Sequence, residues 1–217
     1  MKKIVVIGPE STGKSTLCEQ LAAHYNTFWC PEYAREYLLK HGTNYTFQDL
    51  LTIAKGQLEL EEKFVEEVGK TESPGNGKSE RPKVQRQENK RKKDSFNFEN
   101  NSSGLSASRT SKLLFIDTDM YVMKVWCEFV FENCHRFILD QIIERQYDLY
   151  LFCNVDLPWV KDELREYPDL ENRLKLYYIY KDIMINQNTP WVDISGNYEE
   201  RLRKAITAVD RIVSRES

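Results

Sequence analysis

The sequence predicts an α/β fold built on a five-stranded parallel sheet. Three observations carry that expectation. Short apolar, largely β-branched or aromatic runs recur at residues 4–7, 27–30, 113–116, 149–155 and 190–194. Helix-period stretches separate them. No strand-turn-strand hairpin is visible, so each strand must return through a helical crossover, which makes neighbouring strands parallel.

The elements follow in order. Residues 4–7 (IVVI) form a continuous apolar run, the mark of a strand buried on both faces. Residues 14–25 read as a helix with Leu17, Leu21 and His24 on one face. Residues 27–30 are a short second strand, and 32–40 and 46–68 read as helices. Thr46 suits the N-cap and Asp49 the capping-box position, ahead of Leu50, Ile53, Ala54, Leu58, Glu61 and Phe64 at near-helical spacing. Residues 113–116 form a buried strand ending at Asp117, and 121–145 read as one long helix. Residues 149–155 are a strand, and helices are expected at 158–166 and 170–186. Pro158 fits a first helical turn, with Asp156 as cap. A last strand at 190–194 and a last helix at 197–213 complete the pattern, with no internal repeat.

Composition narrows the class. At 217 residues and 41% hydrophobic, one core of ordinary size is expected. The five cysteines (Cys18, Cys30, Cys127, Cys134 and Cys153) show no C-x-x-C spacing. That argues against a zinc site and fits a reducing compartment. No apolar run approaches the roughly 18 residues of a membrane span. The N-terminal run stops at Gly8-Pro9-Glu10, too early for a signal peptide. A cytoplasmic protein without membrane association is expected.

The net charge of −3 is uneven. Residues 69–111 hold ten Lys/Arg against five acids, with eight serines, four glycines and almost nothing apolar. Such a segment cannot bury enough surface to offset its ordering entropy, so it reads as a disordered insert. The chain is thus expected to be one domain over 1–217, interrupted at about 69–111. Lys90-Arg91-Lys92-Lys93 has no aromatic platform beside it. A solvated linker therefore outweighs a nucleic-acid contact.

Gly8-Pro9-Glu10-Ser11-Thr12-Gly13-Lys14-Ser15 matches G-x-x-x-x-G-K-[ST] in full, between a strand and a helix. Glycines let successive N–H groups turn inward onto phosphate oxygens, and the following helix N-terminus favours anions. Lys14 is expected on the β/γ-phosphates, the Ser15 hydroxyl on Mg²⁺, and Thr16 on the α-phosphate.

Ligands of open α/β sheets bind beyond the carboxyl ends of the strands. Leu113-Leu114-Phe115-Ile116-Asp117 has the shape of a Walker B strand. Asp117 is expected to hold Mg²⁺ through water, or the Ser15 hydroxyl; a helix cap is its bland alternative. Asp119 is a candidate for the acceptor side. Glu32, with Arg35 and Glu36 after it, offers a carboxylate that can take a hydroxyl proton or bind a sugar; a surface ion pair is the alternative. Arg165 and Arg173 are candidates for a lid that stabilises transferring phosphate and excludes water, weighed against solvated helix arginines.

Four blocks in order, Gly8–Ser15, Glu32-Tyr33-Ala34-Arg35-Glu36, Ile116-Asp117-Thr118-Asp119 and Trp159-Val160-Lys161-Asp162-Glu163-Leu164-Arg165, resemble a known family. It is the nicotinamide riboside kinase domain of the bacterial bifunctional NAD-biosynthesis and regulator protein. The likeness covers nearly all of the chain outside 69–111. It implies a P-loop NTPase fold with sheet order 2-3-1-4-5. It also implies ATP- and Mg²⁺-dependent phosphorylation of the ribose 5′-hydroxyl of nicotinamide riboside, giving nicotinamide mononucleotide for NAD salvage. On this likeness Lys14 and Ser15 serve ATP·Mg²⁺, and Asp117 or Asp119 the metal and acceptor. Glu32 and Arg35 belong to the substrate side, Arg165 and Arg173 to the lid. Gly196, in Ile194-Ser195-Gly196-Asn197, resembles the loop beside adenine. The family's aromatic residue before the Glu is here Pro31, with Trp29 two residues earlier. Trp126, Phe129 or Phe131 are the substitutes for ring stacking, set against ordinary core packing. No H-x-G-H motif of a companion adenylyltransferase occurs. Two alternatives stay open: a kinase for another nucleoside or small metabolite, and a regulatory nucleotide-binding ATPase. Oligomeric state is left open.

Overall fold

Phosphate-loop geometry depends on the strand that leads into it, and here that strand is the middle one of a parallel sheet. The computed structural model describes residues 1–70, 113–161, 164 and 168–214. The strands are β1 (Lys2–Ile7), β2 (Phe28–Cys30), β3 (Leu113–Asp117), β4 (Leu149–Cys153) and β5 (Trp191–Ile194). All pairs are parallel, in the order β2-β3-β1-β4-β5, as expected. β1 is flanked on both sides, with Val5 opposite Ile116 of β3 and Tyr150 of β4. Ile4, Val5, Val6 and Ile7 are wholly buried, the reason this run is apolar without alternation.

The helices are α1 (Lys14–His24), α2 (Tyr33–His41), α3 (Phe47–Lys70), α4 (Met120–Phe131), α5 (Arg136–Glu144), α6 (Leu170–Asn186) and α7 (Tyr198–Ser214). α1 and α7 cover one sheet face, where Leu17, Leu21, Ala205 and Val209 meet Ile4, Val6, Phe115 and Leu151. α3, α4 and α6 cover the other, where Phe64, Val122, Leu176 and Met184 meet Val5, Ile7, Ile116 and Phe152. A third apolar cluster lies among α2, α3, α4 and α5, through Ala34, Leu50, Ile53, Met120, Met123 and Ile138. Among the described residues no helix is long and apolar enough to cross a membrane.

The Thr46–Asp49 capping box forms. The Thr46 N–H and hydroxyl donate to Asp49 Oδ2 at 2.7 and 2.6 Å, and the Asp49 N–H donates back at 3.3 Å. Other expectations need correction. The long helix over 121–145 is two helices, broken where Glu132 takes a left-handed conformation (φ 52°) and closes α4. His24 is exposed rather than on the buried face of α1. Residues 158–161 are not helical, and 162, 163 and 165–167 lie outside the described residues. Asp156 is not a helix cap: its carboxylate meets the Gly196 N–H and Arg201 instead. The expected insert lies outside the described residues from 71 to 111, while 69 and 70 close α3.

Candidate functional site

The phosphate loop turns sharply out of β1. Gly8 has φ +143°, and a Cβ there would lie 2.7 Å from the Cys153 carbonyl oxygen, so only glycine fits. Ser11 (φ 55°) and Gly13 (φ 79°) curl the loop further. The Thr12 hydroxyl and Lys14 Nζ both donate to the Pro9 carbonyl, at 2.7 and 3.0 Å, so the loop closes on itself with Lys14 arched across it. α1 begins at this turn with no side-chain cap on its first N–H groups, and a helix N-terminus of that kind favours anions. Thr16 is exposed in the first turn of α1, and Glu10 is half-buried.

The end of β3 faces this loop. Ser15 Oγ donates to Asp117 Oδ2 at 2.5 Å. Asp117 is buried, and its Oδ1 has no hydrogen-bond partner among the described residues. Burial first, and the charge of Glu32 next, push its carboxyl up to about 6, against Lys14 and the Ser15 hydroxyl. A hydroxyl and an orphaned carboxylate oxygen are hard donors that suit a hydrated Mg²⁺, which takes a few protein ligands together with water and phosphate oxygens. Among the described residues no group of three or more His, Cys, Asp or Glu could hold a metal without such help.

Thr118 is a backbone outlier: a buried, β-branched residue at φ 84°. The turn sends its hydroxyl to Glu32 Oε1 across a long 3.4 Å. Glu32 is half-buried at the start of α2, and its carboxylate makes no capping bond there. Glu32 and Asp117 thus come from adjacent strands to one place. Arg35, one turn on, is exposed.

Asp119, a candidate for the acceptor side, stands in the structure as a helix cap. Its Oδ1 accepts from the N–H groups of Tyr121 and Val122 at 3.0 and 3.3 Å, and its Oδ2 from the Tyr150 hydroxyl at 2.8 Å. Burial pushes its carboxyl up to about 6 against those three bonds. The N-terminus of α4 takes the nearest carboxylate, and the cap foreseen for Asp117 falls two residues later.

Arg173 is not a solvated helix arginine. It is 4% exposed, and its guanidinium donates to the Leu157 carbonyl at 3.1 Å and to the Ser11 carbonyl at 3.5 Å. The Trp159 ring lies 5.8 Å from it. The Val160 N–H donates to Ser11 Oγ at 3.0 Å, so the segment after β4 rests on the phosphate loop. Arg165 lies outside the described residues. Trp126 and Phe131 join a packed aromatic group. The Trp126 indole N–H donates to the Tyr45 hydroxyl at 2.9 Å, and Phe131 lies 6.2 Å from Tyr45 and 5.6 Å from Phe47.

Three residues, Arg201, Gln57 and Thr118, escaped sequence reasoning, whereas Gly196 was among the expected site residues. Arg201, 2% exposed on α7, donates to the carbonyls of Thr12, Asn154 and Gly196, each at 2.8 Å, and to Asp156. It ties the phosphate loop to the ends of β4 and β5. Gly196 (φ +102°) donates its N–H to Asp156 at 2.6 Å within the same knot. Gln57, 1% exposed on α3, contacts the backbone around Glu32. The available signal was one polar residue on an otherwise apolar stripe. Arg201 stands in line with Ala205, Ala208 and Val209, and Gln57 with Ile53, Ala54 and Leu58. Thr118 left no such signal, because positive φ in a threonine has no sequence mark.

A family model for an AAA domain matches residues 3–201. The chain is 22% identical over 220 residues to the trifunctional NAD biosynthesis/regulator protein NadR of Salmonella typhimurium, covering 98% of this chain and 43% of that protein. It is 23% identical over 214 residues to the Escherichia coli protein of the same description, covering 96% and 42%. The chain therefore spans less than half the length of these relatives. A crystal structure of NadR protein in complex with NR superposes with a TM-score of 0.67 at 21% identity, over 97% of this chain and 49% of that one. A second, in complex with NAD and AMP-PNP, gives 0.63 at 20% identity, over 98% and 49%. At such identities the superpositions speak to the fold, which is that of a P-loop NTPase.

Proposed function

The chain belongs to the AAA-domain family, and on that premise we propose that it is an ATP-dependent nucleoside kinase whose acceptor is nicotinamide riboside. One observation carries the reading. Beside the Ser15–Asp117 pair stands a second carboxylate, Glu32, held toward it by the strained Thr118 turn. A nucleotide switch needs a phosphate loop and a metal carboxylate. A kinase also needs an acceptor-side carboxylate, and Glu32 supplies one. NadR structures with NR and with AMP-PNP support the choice of acceptor and donor.

In this reading the loop N–H groups of residues 10–13 and Lys14 bind and orient the triphosphate. Ser15 and Asp117 would hold Mg²⁺, which supplies charge neutralisation on the phosphate oxygens when bound. Glu32 accepts the proton of the ribose 5′-hydroxyl as that oxygen attacks the γ-phosphorus in line, and ADP leaves. Arg173 stiffens the loop through the Ser11 carbonyl. Arg35 flanks the sugar, Gly196 the adenine, and Trp126 and Phe131 line the side where the nicotinamide ring stacks. Asp119 acts only indirectly, by fixing the start of α4. The chain is then one catalytic domain with its basic segment inserted after α3.

The test is a mass-spectrometric screen of nucleosides with ATP and Mg²⁺, run beside a Lys14→Ala control. The expected result is a gain of one phosphoryl group on nicotinamide riboside with wild type alone. ATP hydrolysis stimulated by nucleic acid, with no acceptor phosphorylated, would overturn the proposal.

A further inference from the structure

Glu32 occupies a helix N-cap without capping. Its backbone is extended (φ −69°, ψ 115°), and its carboxylate leaves the first N–H groups of α2 alone. Those orphan donors normally draw in the cap side chain. Here the donor nearest Glu32 is satisfied from another helix. Gln57 Oε1 accepts the Tyr33 N–H at 2.7 Å, while its Nε2 donates to the Pro31 carbonyl at 3.3 Å and contacts Cys30 Sγ at 3.6 Å. One buried amide therefore grips the peptide groups on both sides of Glu32. Its orientation is fixed, because a flipped amide would set donor against donor at Tyr33 and acceptor against acceptor at Pro31. Gly56 makes the approach feasible: a Cβ there would lie 2.2 Å from the Tyr33 ring.

We propose that Gln57 is the positioning residue of the acceptor-side carboxylate: by holding the peptide groups on both sides of Glu32, it fixes the backbone from which that carboxylate is aimed at the reacting hydroxyl. This rests on the kinase reading above. Supporting contacts of this kind are worth about 10–100-fold where they hold a reactive group in place. Among the described residues Gln57 bonds to Cys30, Pro31 and Tyr33, none of them in the phosphate loop, so the effect is expected on turnover more than on ATP binding.

The test has two arms. In the first, Gln57→Met, of similar length without hydrogen bonds, is assayed alone and in a Glu32→Gln background. Alone it is expected to lower kcat about 10–100-fold with KM for ATP within about twofold. In the Glu32→Gln background it is expected to cost under about threefold, because its effect runs through that carboxylate. A kcat within about twofold of wild type, an equal loss in both backgrounds, or a matching rise in KM for ATP would overturn the proposal. The second arm needs no variant and no turnover: hydrogen exchange at the Tyr33 amide of the wild-type protein. A first-turn helix amide is ordinarily open to exchange, so slow exchange at Tyr33 supports the clasp and fast exchange refutes it. A wild type that phosphorylates no nucleoside would refute the kinase reading, and exchange at Tyr33 would still decide whether Gln57 holds this segment.

Discussion

Replacing Arg201 with methionine keeps most of the side-chain volume and removes the guanidinium from the knot behind the phosphate loop. Three carbonyls, of Thr12, Asn154 and Gly196, each lose a charge-assisted bond of 2.8 Å. Such bonds are worth roughly 1.5 kcal/mol each, and buried carbonyls left unpartnered do not recover it. The Asp156 ion pair adds little, because that carboxylate is 37% exposed and well solvated. The loss comes to about 4–5 kcal/mol, a large part of the 5–15 kcal/mol by which domains are stable. For a chain of this size it lowers Tm by about 10–15 °C. Arg201→Lys restores charge but not the fork, and is expected to recover less than half. Urea unfolding of the three proteins at pH 7, followed by circular dichroism, measures the difference. A methionine variant within about 1 kcal/mol of wild type, or a lysine variant equal to it, would refute the reasoning.

Three further outcomes are expected. Glu32→Gln should fall about 10²–10⁴-fold in kcat with little change in KM for ATP, since it removes the proton acceptor and leaves the phosphate loop intact; initial-rate kinetics at saturating ATP reads this. Gly8→Ala should lose about 1–3 kcal/mol, from positive φ and the 2.7 Å approach to the Cys153 carbonyl. Gly42→Ala, also at positive φ but with nothing within 4 Å, should lose less, and paired thermal melts compare them. Asp49 is held down to about 2 by bonds from Thr46 and Tyr37. A depressed carboxyl lends stability above its unfolded value of 3.8 that is lost as pH falls through about 2. The gap in urea midpoint between wild type and Asp49→Asn should therefore be present at pH 5 and shrink toward pH 2.

What the sequence made legible was whatever has a local signature. The apolar run 4–7, the glycine-lysine loop and the Thr46–Asp49 box each follow from short-range sterics or hydrogen bonding, and each is found in the fold. The sheet order came through resemblance, because strand neighbours are set by crossovers that no single segment encodes. Which strand-end carboxylate caps α4 was not legible, because such carboxylates compete. Sequence proximity puts both near the cleft, and only the start of α4 decides which one turns to cap a helix. The break after Phe131 was missed because left-handed Glu132 is neither glycine nor asparagine. Arg201 and Gln57 were invisible, and the buried setting of Arg173 was not legible, for one physical reason. Each bonds backbone carbonyls or N–H groups of segments remote in sequence, and backbone groups carry no residue identity.

The most direct test is to quantify ADP and phosphorylated nucleoside together, with nicotinamide riboside, ATP and Mg²⁺. A kinase built as described forms one nicotinamide mononucleotide per ADP, and loses both products together in Lys14→Ala. ADP released with no phosphorylated acceptor would contradict it.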